Sequence, residues 1–129
     1  MIVIDTHIWL WWTLDPEKLS DIQQEHLHRG EEFGIGVCAI SCWEVAKLVQ
    51  SGRIALPVST QEWFDEALVS PGVRLLELTP QIAIASTVLP GEFHRDPADQ
   101  IIVATARIYQ CPLLTNDAKI RAYHYVQTV

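Results

Sequence analysis

No run of apolar residues in this chain approaches the ~20 needed to cross a bilayer. No basic leader precedes an apolar stretch, and the first strand candidate begins at Met1, which leaves no room for a signal peptide. The expected location is therefore the cytoplasm, with no membrane partner. Cysteine is scarce: Cys38, Cys42 and Cys111 make an odd set with no C-x-x-C pair. That spacing disfavours a disulfide framework or a zinc site and predicts buried free thiols. No histidine stands four residues from another, so a helical zinc motif is missing too. Positive charge is the last scarcity. Nine Lys and Arg face sixteen Asp and Glu, for a net charge of −7. Nucleic-acid binders usually carry a basic stripe. An acidic metal site would absorb part of that imbalance, and net charge is silent about local patches.

There are no repeats, low-complexity tracts or linkers in the 129 residues, so one domain spanning residues 1–129 is expected. A domain near this size buries roughly two-thirds of its unfolded surface. With 49% hydrophobic and 19% charged residues, the chain has the composition of a globular fold. Strand candidates are Ile2–Ile4, Gly36–Ile40, Val73–Leu78 and Leu113–Leu114, with a weaker edge strand near Tyr123–Val126. They are short and lack alternation, as strands covered on both faces do. Between them lie helix candidates at Thr6–Leu14, Pro16–Arg29, Ser41–Ser51, Thr60–Val69, Pro80–Val88 and Pro97–Tyr109. The last two open on proline, which is favoured at the first helical position. The helix from Pro97 is apolar nearly all round and is expected in the core. Strands alternating with helices predict a mostly parallel α/β sandwich. Among Trp9, Trp11 and Trp12, one ring is expected to face outward as a contact surface for a partner.

Four carboxylates follow strands or open helices: Asp5 after Met1–Ile4, Glu44 in Ser41-x-x-Glu44, Asp99 in Asp96-Pro97-Ala98-Asp99, and Asp117 after Leu114-Thr115-Asn116. In a parallel α/β sheet the carboxyl ends of the strands share one edge, where ligands bind. Carboxylates reaching that edge from distant segments would form an all-oxygen cluster suited to Mg²⁺ or Mn²⁺. That chemistry suits an enzyme acting on a phosphate ester.

Each residue also has a plainer role. Asp5 is a good N-cap, but Thr6 caps equally well and would free Asp5. Ser41-x-x-Glu44 reads as a capping box, and the sequence does not separate that role from metal binding. With Pro97 first in its helix, Asp96 is the N-cap and Asp99 points from the first turn, where an idle buried carboxylate would be costly. This favours Asp99 as ligand and Asp96 as cap or supporting group. Asp117 alone reads as a turn residue. Lys47, Arg53, Arg95, Arg107, Lys119 and Arg121 lie near these motifs, either as solvated charges or as phosphate contacts. His94, Arg95 and Lys47 are the candidates for touching substrate.

Ile4-Asp5-Thr6-His7, Ser41-x-x-Glu44-Val45-Ala46-Lys47, His94-Arg95-Asp96-Pro97-Ala98-Asp99 with Ile102-Val103-Ala104-Thr105-Ala106, and Leu114-Thr115-Asn116-Asp117 together resemble PIN-domain ribonucleases. The nearest likeness is to the VapC-type toxins of bacterial toxin–antitoxin pairs. It covers the whole chain in order. Each motif is weak alone; the ordered set is specific. The resemblance implies a PIN-like three-layer α/β/α sandwich around a short, mostly parallel sheet. It implies a Mg²⁺ or Mn²⁺ site at Asp5, Glu44, Asp99 and Asp117, supported by Asp96, Thr115 and Thr6. It further implies hydrolysis of phosphodiester bonds in tRNA, rRNA or mRNA, a homodimer, and an antitoxin that occludes the cleft. A phospho-acceptor module would want an acidic pair after the first strand, and a dehalogenase-like phosphatase would want D-x-D there; here Thr6 and His7 follow Asp5. An inactive RNA- or partner-binding protein of the same fold remains an alternative, against which the intact carboxylate set argues.

Overall fold

The computed structural model describes residues 1–129. Four strands, β1 (Ile2–Ile4), β2 (Ile35–Cys38), β3 (Val73–Leu76) and β4 (Leu113–Leu114), form one sheet in the order β3-β2-β1-β4. Every pairing is parallel. Parallel neighbours require crossovers, and helices supply them: α1 (Thr6–Leu14) and α2 (Asp21–Phe33), then α3 (Ala39–Gln50) and α4 (Thr60–Ala67), then α5 (Pro80–Thr87) and α6 (Pro97–Tyr109). A short α7 (Ala118–Arg121) follows β4.

The strands lack alternation because both faces of the sheet are covered. Ile2, Ile4, Ile35, Val37 and Leu114 pack with Ile8, Trp9, Leu27, Val45 and Trp63 on one side. Val3, Cys38, Leu76 and Leu113 pack with Ile102, Val103, Ala106 and Ile120 on the other. The result is the three-layer α/β/α sandwich expected from the sequence. The chain runs outward from β1 to β2 to β3, then returns to add β4 on the far side of β1. The reversal between β1 and β4 is a topological switch point, where parallel sheets leave a crevice at their carboxyl edge. Asp5 and Thr115 follow the two strands that flank it.

The ends of α1 and α6 match the sequence expectation, and several others do not. Pro16–Arg29 is not one helix: a 3-10 turn at Pro16–Lys18 is followed by α2 from Asp21. Ser20 and Gln23 cap α2 reciprocally, which sets its start. Helix α3 begins at Ala39, directly after β2, rather than at Ser41. The Tyr123–Val126 segment is a turn, and the backbone pairs instead at Thr128, which bridges Leu113. No helix is long and apolar enough to cross a membrane. All three cysteines are free. Burial pushes the Cys38 thiol up to about 12, so it is inert at neutral pH.

Candidate active site

Asp5 is the N-cap of α1, so the expectation that Thr6 would cap in its place is corrected. Its Oδ1 accepts the Ile8 N–H at 2.9 Å. Its Oδ2 accepts a short hydrogen bond from the Thr115 hydroxyl, 110 positions away in the chain. The Thr115 oxygen also accepts the Asp117 N–H at 3.1 Å. Arg121 Nη1 donates to the Thr115 carbonyl (2.9 Å) and to the Val129 carbonyl (3.2 Å), pinning the end of β4. Burial pushes the Asp5 carboxyl up, against the Thr115 and Ile8 donors that pull it down.

Thr6, released from capping, turns to α3. Its hydroxyl lies 2.5 Å from Glu44 Oε1 and 2.9 Å from Ser41 Oγ. A hydroxyl has one proton to give. It serves Glu44, the only one of the two that carries no hydrogen of its own when ionised. Ser41 then donates to Thr6. The capping box read at Ser41-x-x-Glu44 does not form. Helix α3 has no side-chain cap, and Ser41 sits inside its first turn. Glu44 is instead held toward Asp5 through Thr6. Burial raises the Glu44 carboxyl, opposed first by that Thr6 bond.

On α6 the expectation holds. Asp96 is the N-cap and accepts the Asp99 N–H at 3.0 Å, with Pro97 at the first helical position. His94 faces inward rather than outward. Its Nδ1 accepts the Asp96 N–H at 3.3 Å, so the ring proton sits on Nε2. Nε2 lies 3.1 Å from Asp99 Oδ2, yet it is a buried atom without a hydrogen-bond partner. The two groups touch, but the N–H is not aimed along the oxygen. Asp99 is pushed up to about 7, first by burial and then by the negative charges of Asp96, Asp117, Glu44 and Asp5. Asp117 is the N-cap of α7, accepting the Ile120 N–H at 3.0 Å.

The four carboxylates therefore act on one another at the β1/β4 edge, each on its own element. As the side chains stand, no three of them close on a common point at ion-holding distance. Asp5, Glu44 and Asp117 are each tied to a protein donor. Of the six basic residues near the motifs, Arg121 is turned to backbone carbonyls and Arg107 donates to the Tyr125 carbonyl. Arg95, Lys47 and Arg53 are exposed. Sequence reasoning passed over Ser41 as a partner of Thr6, and over Trp43 as an exposed ring beside Glu44. The second had a signal: an aromatic residue immediately before a candidate carboxylate and one helical turn from Lys47.

Residues 2–124 match the PIN domain family, and the chain belongs to that family. It is 31% identical over 128 residues to Ribonuclease VapC22 of Mycobacterium tuberculosis, covering 99% of this chain and 95% of that protein. Among solved structures it resembles VapBC2 from Rickettsia felis, bound to a promoter DNA fragment, with a TM-score of 0.72 at 16% identity over 100% of this chain and 98% of that one. A toxin–antitoxin complex from Klebsiella pneumoniae gives 0.68 at 18% identity, covering 100% and 96%. FitAcB from Neisseria gonorrhoeae gives 0.65 at 21% identity, covering 99% and 96%. At these identities the structures speak for the shared fold.

Proposed function

We propose that this protein is an endoribonuclease of the VapC type, the toxin of a toxin–antitoxin pair, and that Asp5, Glu44, Asp99 and Asp117 hold a divalent cation, Mg²⁺ or Mn²⁺. It works as a single domain in the cytoplasm, and its cognate partner is an antitoxin. The family membership and the relationship to a VapC ribonuclease support the class of reaction. One observation of the site carries the rest: Asp99 feels Asp96, Asp117, Glu44 and Asp5 together, so the carboxylates of four elements share one field. Their donors are all oxygen, which suits a hard cation.

Such a cation would acidify a water and offset negative charge on the phosphate oxygens. The chain's own residues orient these parts. Asp5 and Asp99 would hold the cation directly. Glu44 and Asp117 would help hold the cation or orient the attacking water. Thr115 fixes Oδ2 of Asp5, Thr6 fixes Oε1 of Glu44, and His94 packs against Oδ2 of Asp99. Hydrolysis forms a bond from the water oxygen to phosphorus and breaks the bond from phosphorus to the 3′ oxygen. The products carry 5′-phosphate and 3′-hydroxyl ends. Purified protein is expected to cut RNA in Mg²⁺ or Mn²⁺, to stop in chelator, and to leave those ends. A 2′,3′-cyclic phosphate product would contradict the mechanism, because it requires the 2′ hydroxyl as nucleophile.

A further inference from the structure

Trp43 is the one tryptophan that stands well out of the fold, 56% exposed, while Trp9 and Trp63 are buried and Trp11 and Trp12 pack against the core. It sits on α3 immediately before Glu44. Its indole and Glu44 together form the wall between two cavities. On one side lies a space of about 490 Å³ lined by Ala39, Ile40, Leu78, Pro97 and Ala98, apolar apart from Glu44 and Asp96. On the other lies a space of about 480 Å³ that gathers His7, Lys47 and Arg53. Lys47 stands one helical turn from Trp43, its Nζ 5.8 Å from the indole centroid, a cation–π contact that braces the ring from the cationic side.

An exposed indole beside an apolar slot, with cations across the ring, is chemistry for a nucleotide: a flat base on one side and a phosphate on the other. The charge placement supports this occupant. In a chain of nine Lys and Arg against sixteen Asp and Glu, two of the exposed cations, Lys47 and Arg53, line one of the two cavities that share Glu44 with the carboxylate cluster. A base held in a duplex stack has no free face to offer, so the slot selects an unpaired one. We propose that Trp43 is a specificity-determining residue, a stacking platform for one unpaired base beside the scissile phosphate, with Lys47 and Arg53 holding a neighbouring phosphate. This rests on the ribonuclease reading above.

The test compares Trp43→Ala, Trp43→Phe, Lys47→Ala and Arg53→Ala in cleavage of a mixed-sequence single-stranded RNA, and in binding of the same RNA by each variant on an Asp99→Asn background. Loss of one base–aromatic stack is worth about five- to hundredfold. Trp43→Ala should raise KM by that factor with kcat largely kept, Trp43→Phe should restore most of it, and all should melt like the parent. Lys47→Ala and Arg53→Ala should each lower the slope of log affinity against log salt by about 0.7, the single-strand value per phosphate contact, while Trp43→Ala leaves the slope alone. A wild-type KM for Trp43→Ala overturns the proposal, as does equal loss in the Ala and Phe variants. So does retained RNA affinity with lost capture of the co-expressed antitoxin, which would assign the ring to that protein. If the wild type cuts no RNA, the ribonuclease reading fails on its own. Binding on the Asp99→Asn background then decides the stacking site separately.

Discussion

Asp5 shows how one side chain can serve both a helix cap and the proposed cation site. Oδ1 satisfies an orphan helix donor, and Oδ2 faces Thr115 and the carboxylate cluster. The sequence offers both Asp5 and Thr6 as the cap, and the structure gives the cap to Asp5. Nothing local to Asp5 and Thr6 decides between them. The decision comes from Ser41 and Glu44, which wait across the cleft for the Thr6 hydroxyl. The two roles separate by mutation. Asp5→Asn keeps an excellent N-cap and removes a buried charge, so it should melt at or above the wild-type temperature and lose cleavage. Asp5→Ala should lose cleavage as well and also cost about 1 kcal/mol of stability. An Asp5→Asn protein that cleaves at the wild-type rate would remove Asp5 from the site.

Helix registers were legible where proline or an uninterrupted pattern marks them, as at Pro97 and Thr6, and illegible where contacts across the fold decide. Of the two roles the sequence leaves open at Ser41-x-x-Glu44, the capping box does not form. Its residues fit the motif, but β2 ends at Cys38 and the chain enters α3 at once, so Ser41 is already helical. The true box lay at Ser20 and Gln23, inside a segment whose amphipathic pattern hid the 3-10 turn before it. The turn at Tyr123–Val126 was read as a strand because its aromatic and β-branched residues favour one. Tyr123 instead packs its ring on Phe93, centroids 4.9 Å apart. Helix α6 is where element and site meet, since the cap that starts it also aims Asp99. Asp96→Asn preserves the cap and should reduce cleavage far less than Asp99→Asn. Asp96→Ala should lower stability by about 1 kcal/mol and loosen the turn that presents Asp99. Equal loss of cleavage from Asp96→Asn and Asp99→Asn, with both proteins folded, would make Asp96 a ligand.

Across the whole molecule, the sheet order places the end of β1 beside the end of β4, and that adjacency assembles the site. The sequence showed that the strands were parallel and that carboxylates followed them. It did not show which strands are neighbours, because only packing ranks the pairings. The acidic balance of −7 has a local expression in Asp99, whose carboxyl is raised from 3.8 to about 7, and in Asp5 and Glu44, raised in the same direction. The folded state therefore holds these protons more tightly than the unfolded chain. Stability falls as pH rises through the window between 3.8 and about 7, and levels off above it. In chelator the melting temperature should drop between about pH 5 and about pH 7, and saturating Mn²⁺ should flatten the slope by favouring the ionised carboxylates. A melting temperature that climbs over that range in chelator would contradict the shared field. The most direct test of the central claim, that carboxylates from four elements form one cation site, is calorimetric titration of Mn²⁺ into wild-type and Asp99→Asn protein at neutral pH. The account predicts saturable binding to the wild type and affinity weaker by well over a hundredfold in the folded Asp99→Asn variant, beyond the roughly ten- to hundredfold expected for losing a merely supporting group; equal affinity in the two proteins would contradict it.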